Sequence, residues 1–251
     1  MASTLFDLTG RTALITGSSQ GIGLALAHGL AEAGAAVLLN GRDRSKLEAA
    51  SAEIPGSRIL AFDVTDHDTV RGVIDDFEAS QGPIDIAVNN AGVQHRTPLE
   101  DFPAADFERL LHANITSVFN VGQACARHMI PRGEGKIINI ASVNVLMARY
   151  SIAPYTATKG AVANLTKGMA TDWARHGLNC NAVAPGYMRT PLNEPLWSDD
   201  TFNTWLEQRT PAQRWGRPEE LVGATVFLAS EASSFVNGHI LYVDGGISAA
   251  L

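Results

Sequence analysis

The segment Thr12-Ala13-Leu14-Ile15-Thr16-Gly17-Ser18-Ser19-Gln20-Gly21-Ile22-Gly23 opens on a short aliphatic run, breaks into glycines, and passes into helical spacing at Ile22. A strand that enters a helix through a glycine turn is the first half of a β-α-β unit. Glycines there permit a tight turn and let backbone N–H groups approach a pyrophosphate at the helix N-terminus. The spacing is GxxxGxG, wider than the common GxGxxG. A glycine loop alone is a weak sign, because ordinary strand-to-helix turns use glycine too. Its place directly between a first strand and a first helix strengthens it.

Outward from this loop the pattern repeats. β-Branched or leucine-rich runs fall at 12–16, 36–39, 58–62, 84–89, 136–140, 179–184 and 240–243, with helical spacing between them at 22–33, 69–81, 107–129 and 155–176. In the last of these, Ala161, Leu165, Met169 and Trp173 recur every four residues and predict one buried stripe. The runs are apolar on both faces rather than alternating, which fits a parallel sheet covered by helices on each side. The expectation is one α/β domain over 1–251, doubly wound around a seven-stranded parallel sheet. One Pro-rich stretch, 185–198, reads as a structureless loop, and a long loop in a compact domain is usually functional. With the aromatic residues after it, it predicts a substrate loop or lid at about 185–210.

Composition narrows the function. The 251 residues suffice for a buried core without a disulfide or metal staple. The two cysteines, Cys125 and Cys180, are far apart and form no CxxC pair, which suits a reducing cytoplasm. A net charge of −7 argues against a nucleic-acid partner. Residues 1–11 lack the apolar core of a signal peptide, and no run approaches membrane-spanning length, so a soluble cytoplasmic protein without a membrane partner is expected. The seven histidines show no metal-ligand spacing, and no metal is expected.

The choice of dinucleotide is argued from the end of the second run. An acid there would bond the ribose 2′-OH and repel a 2′-phosphate. The chain reads Leu39-Asn40-Gly41-Arg42, with a guanidinium in place of the acid, so NADP is expected through charge-assisted bonds to Arg42. The competing reading is a solvated arginine beside Asp43 and Arg44. Asp63-Val64 could cap the adenine amino group, or Asp63 could belong to the N-cap region of the next helix. Asn89-Asn90-Ala91-Gly92 places small and polar residues beside the adenosine ribose, or only shapes a turn.

Tyr155 and Lys159 are four residues apart at a helix start and so share a face. A tyrosine serves as a base near neutrality only if its pKa of about 10 is lowered, and a nearby ammonium does this. Ser142 lies just past the fifth run, at the sheet edge where ligands sit in open α/β folds, and would hold the substrate oxygen while Tyr155 takes or gives its proton. Asn114 is an odd polar residue for mid-helix and could anchor a water linking Lys159 to solvent. The competing reading is a chance Tyr-x-x-x-Lys on a helix surface.

Together, Thr16 to Gly23, Asn89-Asn90-Ala91-Gly92, Asn114, Ser142, Tyr155-Thr156-Ala157-Thr158-Lys159, Pro185-Gly186 and the ending Asn237-Gly238 … Val243-Asp244-Gly245-Gly246 resemble the short-chain dehydrogenase/reductase family, in order and spacing over essentially the whole chain. The resemblance implies a Rossmann-type domain and a catalytic tetrad of Asn114, Ser142, Tyr155 and Lys159. It implies cofactor contacts from Gly17, Ser19, Gln20, Gly21, Ile22, Gly23, Asn40, Arg42, Asp63, Val64, Asn90, Ala91, Gly92, Tyr155 and Lys159. Lys159 would hold the nicotinamide ribose, while Pro185, Gly186, Met188 and Thr190 would lie against the carboxamide. A homotetramer is implied as well, with 107–129 and 155–176 at one interface.

Within the family, Asn90 to Arg96, Ile152 to Gly160 and Thr210 to Leu221 resemble the gluconate 5-dehydrogenases, with one departure at Arg149-Tyr150, where Arg-Pro is expected. A sugar-acid substrate follows from that likeness and from charge: Arg96 and Arg149 lie on loops near Ser142, and either could grip a carboxylate bidentately. Gln94, His95 and Asn144 would bond hydroxyls, with Ser142 and Tyr155 at the reacting oxygen. The competing reading pairs Arg96 with Glu100 or Asp101. Leu196, Trp197, Phe202 and Trp205 are read as the lid, or else as a subunit contact. The alternatives are a 3-oxoacyl carrier-protein reductase, which would show a basic docking surface, another polyol or keto-acid short-chain reductase, and a non-catalytic NADPH sensor, which could dispense with Tyr155 or Lys159.

Overall fold

Successive residues of the first strand point to opposite faces, and both faces are buried. In the computed structural model, which describes residues 4–250, Leu14 packs on one side of the sheet, while Ala13 and Ile15 pack on the other. The elements run β1 (Thr12–Ile15), α1 (Gly21–Glu32), β2 (Ala36–Gly41), α2 (Arg44–Glu53), β3 (Arg58–Ala61), α3 (His67–Gln81), β4 (Ile86–Asn89), α4 (Ala104–Leu111), α5 (Ser117–Arg132), β5 (Gly135–Ile140), α6 (Ala153–Trp173), β6 (Leu178–Pro185), α7 (Glu194–Trp197), α8 (Asp200–Arg209), α9 (Val222–Ala229) and β7 (Ile240–Val243). The seven strands form one sheet in the order β3-β2-β1-β4-β5-β6-β7, every neighbouring pair parallel. The chain moves outward from β1 to β3 and then returns to β4, so the order reverses between β1 and β4. Loops at the C-terminal ends of those two strands diverge and leave a crevice.

Leu14, Leu38, Ala87, Ile137 and Cys180 meet Ile74 and Phe77 of α3, Val121 and Met129 of α5, and Val162 and Met169 of α6. Ala13, Ile15, Leu39, Val88, Ile138 and Val183 meet Leu26 and Leu30 of α1, Leu47 of α2 and Leu228 of α9. Each fully buried aliphatic side chain contributes about 1.5–3 kcal/mol over its exposed state. No described helix is long and apolar enough to cross a membrane.

Three sequence expectations are corrected. The single helix expected over 107–129 is broken: α4 and α5 are separated by a π-helical segment, His112–Thr116, that buries Asn114. An asparagine bonding outside its own helix takes up the slack of a wider turn. On α6 the buried face is carried by Lys159, Val162, Thr166 and Met169, not by the predicted row; of that row only Met169 is buried, with Ala161, Leu165 and Trp173 half-buried. An every-four count drifts around a helix of 3.6 residues per turn, and the helix faces the sheet one residue away from the apolar row. The stretch 185–198 is not structureless: β6 extends to Pro185, and Pro191–Asn193 and α7 are helical turns. Pro191 and Pro195 sit in the first turns of those pieces, where the missing N–H costs nothing.

Candidate active site

A cleft of about 730 Å³ runs along the C-terminal edges of the strands, between the glycine loop at one end and the α7 segment at the other. At the glycine-loop end the backbone is forced. Gly17 has φ +62°, and a Cβ there would stand 2.9 Å from Ala91 Cα; a Cβ on Gly23 would stand 2.3 Å from the Gly17 carbonyl oxygen. The loop is therefore pressed against the segment after β4, and side chains fasten it there. Asn90 Nδ2 donates to the carbonyls of Thr16 at 2.9 Å and Gly17 at 3.1 Å. Thr16 Oγ1 accepts from the Asn90 and Ala91 amides at 2.9 and 3.0 Å.

Gly17, Ser19, Gln20, Gly21, Ile22, Gly23, Asn40, Arg42, Asp63, Val64, Asn90, Ala91 and Gly92 all line this half of the cleft. Asn40 Nδ2 is bonded to the Leu60 and Phe62 carbonyls at 3.0 and 3.2 Å, while its buried Oδ1 has no protein partner among the described residues. Arg42, with 76% of its side chain exposed, lies 3.7 Å from Asp63. Burial opposes ionisation of Asp63, but bonds from Thr65 and the Arg42 charge outweigh it and hold the carboxyl below its ordinary range. A cradle with no room for Cβ atoms and an exposed guanidinium fit a dinucleotide bearing a 2′-phosphate, and the unpaired amide oxygen can accept from a donor on it.

Midway, β5 ends at Ile140 and Ser142 follows, its Oγ accepting from the Asn144 amide at 3.2 Å and so starting a short helical turn. Pro154 occupies the first turn of α6, which places Tyr155 at the cleft wall and Lys159 one turn deeper. Lys159 Nζ donates to the Ile140 carbonyl at 2.7 Å and lies 5.7 Å from the Tyr155 ring centre. Burial lowers the Lys159 pKa to about 8. Burial likewise pushes the Tyr155 phenol up to about 12, against the opposing effects of the Ser142 hydroxyl and the Arg96 charge. In this protein alone Tyr155 thus stands above its ordinary value, not below it. The groups favouring its phenolate are Ser142 and Arg96 rather than the expected Lys159, whose ammonium is turned to a carbonyl.

The expected water anchor, Asn114, has its amide taken up by protein atoms. Oδ1 accepts from the Val93 amide at 2.8 Å, and Nδ2 donates to the Val93 carbonyl at 3.0 Å and to Thr158 Oγ1 at 3.1 Å. It ties the π-helical segment to both the loop after β4 and α6.

The far half of the cleft is lined by Gln94, Arg96, Asn144, Arg149, Pro185, Gly186, Met188 and Thr190, as expected for their positions. His95 is not among the lining residues. Its ring packs edge-on against Phe102 at 5.1 Å, and Nε2 lies 2.9 Å from Thr97 Oγ1. On an extended loop neighbouring side chains point opposite ways, so Gln94 and Arg96 face the cleft and His95 faces out. Arg96 pairs with neither Glu100 nor Asp101; its Nη2 donates to Asn193 Oδ1 at 3.3 Å, and its buried Nε has no partner among the described residues. The Arg149 guanidinium lies 4.8 Å over the Phe202 ring, with Nη1 buried and likewise without a partner. Leu196 lines the cleft, while Trp197 Nε1 donates to the Thr190 carbonyl at 3.1 Å.

Among the lining residues that the sequence reading did not single out are Tyr187 and Asn193. Tyr187 directly follows Pro185-Gly186, and that adjacency was the available signal. Its ring is packed by Phe202 and Trp215 at 5.6 and 5.8 Å. Burial raises its pKa, while Arg149 and Arg96 pull it down. Asn193 carried no signal.

Comparison with known proteins places this arrangement. A family model described as enoyl-(acyl carrier protein) reductase matches residues 17–248. The gluconate 5-dehydrogenase of Gluconobacter oxydans (strain 621H) is 58% identical over 98% of both chains. The chain belongs to the short-chain dehydrogenase/reductase family. The 5-keto-D-gluconate 5-reductase of Escherichia coli (strain K12) is 46% identical, covering 98% of this chain and 99% of its own. A crystal structure of a gluconate 5-dehydrogenase from Burkholderia cenocepacia J2315 in complex with NADP and tartrate is 54% identical over the full length of both chains, with a TM-score of 0.96. The likeness to that structure covers the whole chain, including the segment that carries Arg149 and Tyr187.

Proposed function

We propose that the protein interconverts D-gluconate and 5-dehydro-D-gluconate with NADP. The observation that carries this reading is the pair of guanidiniums, Arg96 and Arg149, each with a buried N–H group lacking a protein partner beside Ser142 and Tyr155. A buried donor without a partner costs about 1–3 kcal/mol unless a ligand supplies the acceptor, and a carboxylate with neighbouring hydroxyls supplies several. The names of the similar gluconate 5-dehydrogenases and 5-ketogluconate reductase support the same substrate.

In the mechanism, the glycine loop, Asn90 and Arg42 hold the dinucleotide, and Thr190 with the backbone after Pro185-Gly186 orients its carboxamide. When bound, NADP would supply the hydride acceptor, and NADPH the hydride donor, at the substrate carbon. Ser142 holds the reacting oxygen. In oxidation Tyr155 removes the hydroxyl proton as the carbonyl forms; in reduction it donates that proton to the carbonyl oxygen. The Ser142 hydroxyl and the Arg96 charge lower the cost of the phenolate, while Lys159 would hold the nicotinamide ribose. Asn114 fixes the loop that carries Gln94 and Arg96. The α7–α8 segment closes over the substrate and excludes water. These proton and hydride transfers do not call for a metal ion. The acidic chain is read as cytoplasmic, with no nucleic-acid or membrane partner, and as a homotetramer whose contacts include exposed Phe107 and Phe119.

The test follows NADPH absorbance with gluconate, 5-ketogluconate and acetoacetyl thioesters. Turnover of the two sugar acids is expected; turnover of the thioesters alone would replace this reading with that of a carrier-protein reductase.

A further inference from the structure

Arg96 is a half-buried cation, its Nε fully covered, with an unusual partner. The groups acting on its charge are Arg149, Tyr155 and Tyr187, and no carboxylate is among them. Desolvation and Arg149 both disfavour its charged state. The side chain that holds it is Asn193, ninety-seven positions away, through Nη2 to Oδ1 at 3.3 Å. Asn193 is itself held by its Nδ2, which donates to the Met188 carbonyl at 3.0 Å, so its Oδ1 is aimed rather than free to rotate. It closes the turn Pro191–Asn193 and lines the cleft.

Buried arginines are ordinarily paired with carboxylates, because neutralising the charge offsets its desolvation. An aspartate at this position would be nearly the same size and would supply that pairing. It would also neutralise the cation whose charge favours the Tyr155 phenolate. The amide orients the guanidinium and leaves its charge unspent.

We propose that Asn193 is a specificity-determining positioning residue: its neutral amide aims Arg96 into the cleft while keeping the charge available to an anionic substrate. The proposal rests on the reading of the site as an anion-binding dehydrogenase centre. An acid here would turn the clamp into an internal ion pair and exclude anions by repulsion. Substrate charge is then set by a residue of the α7 segment acting through one on the loop after β4.

The test compares Asn193→Asp, Asn193→Ala and Arg96→Ala, alone and with Asn193→Asp, by calorimetric titration of the NADP-loaded protein with tartrate, a small hydroxylated dianion. Melting temperature and NADPH affinity check folding, and Asn193→Glu stands in if Asn193→Asp does not fold. Asn193→Asp is expected to weaken tartrate binding roughly tenfold or more with NADPH affinity unchanged, and Asn193→Ala by less than about threefold. The Asn193→Asp penalty should shrink once Arg96 is alanine, leaving only the direct repulsion by the new carboxylate. Equal tartrate affinity in Asn193→Asp and the parent, equal losses in the Asp and Ala variants, a penalty undiminished by Arg96→Ala, or no tartrate binding by the parent would each overturn the proposal. Gluconate turnover is measured separately: tartrate binding that behaves as expected in a protein inactive on gluconate sinks the substrate reading and leaves this one standing.

Discussion

Lys159 and Tyr155 are one helical turn apart, yet burial moves them in ways that are read separately. Lys159 titrates near 8 in the folded chain, below the value of about 10.4 it takes when unfolded. Between those values the unfolded chain binds the extra proton, so Lys159 raises folding stability as pH climbs through the window and withdraws it as pH falls. Lys159→Met removes that dependence. Thermal melts should show the parent gaining on Lys159→Met between pH 8 and pH 10; a constant difference would mean the ammonium is not desolvated. Tyr155 is displaced upward, to about 12, so the native state keeps its proton above pH 10 and stability falls from there. Tyr155→Phe should abolish gluconate turnover, by roughly a thousandfold or more, while NADPH still quenches protein fluorescence. Retained turnover would assign the proton transfer to another group. Both residues were legible in the sequence because Tyr-x-x-x-Lys is a local spacing. The direction of the Tyr155 shift was not, because it depends on Ser142, Arg96 and the packing around the ring.

The glycine loop and its neighbour after β4 behave as one element, because Gly17 and Gly23 let the two backbones meet without intervening side chains. Gly23→Ala would place a Cβ against the Gly17 carbonyl and Asn90 Nδ2, at 2.3 and 2.5 Å, and a main-chain oxygen cannot turn aside. The variant should lose about 1–3 kcal/mol of stability and at least roughly tenfold in NADPH affinity, read from denaturant melts and fluorescence titration. Gly72, in α3, has nothing within 4 Å of a built Cβ, so Gly72→Ala should stabilise by about 0.5–1 kcal/mol and leave NADPH binding alone. Strand and helix positions followed from hydrophobic period. The π-helical break at His112–Thr116 did not, since it answers to Asn114 bonding Val93 across a gap of twenty-one residues.

At the scale of the molecule, a single sheet supports both halves of the cleft, so a ligand that spans them stabilises the whole fold. NADPH at a hundred times its Kd should add about 2.7 kcal/mol, seen as a rise in melting temperature. The rise should exceed that from NADH at equal concentration, and Arg42→Ala should narrow the gap; equal shifts in the parent would remove Arg42 as the 2′-phosphate contact. The net charge of −7 excludes little about the substrate, because Arg96 and Arg149, each with one buried N–H group unpartnered among the described residues, lie against an acidic background.

What the sequence alone determined is what local spacing can carry: seven strand-forming runs, of which the central ones are buried on both faces and the edge strands β3 and β7 are not, the glycine turn into α1, the Tyr155–Lys159 turn, and the placing of Ser142 and Pro185-Gly186 at strand ends. Tertiary structure decided the rest. It turned His95 away from the cleft, brought Tyr187 and Asn193 into it, left Arg96 without an acid, and moved the buried face of α6 one residue from its apolar row. Periodicity records which face of a regular element is apolar. Side-chain direction on a loop, and contact between residues a hundred positions apart, depend on how the elements pack, and no short window of sequence contains that packing.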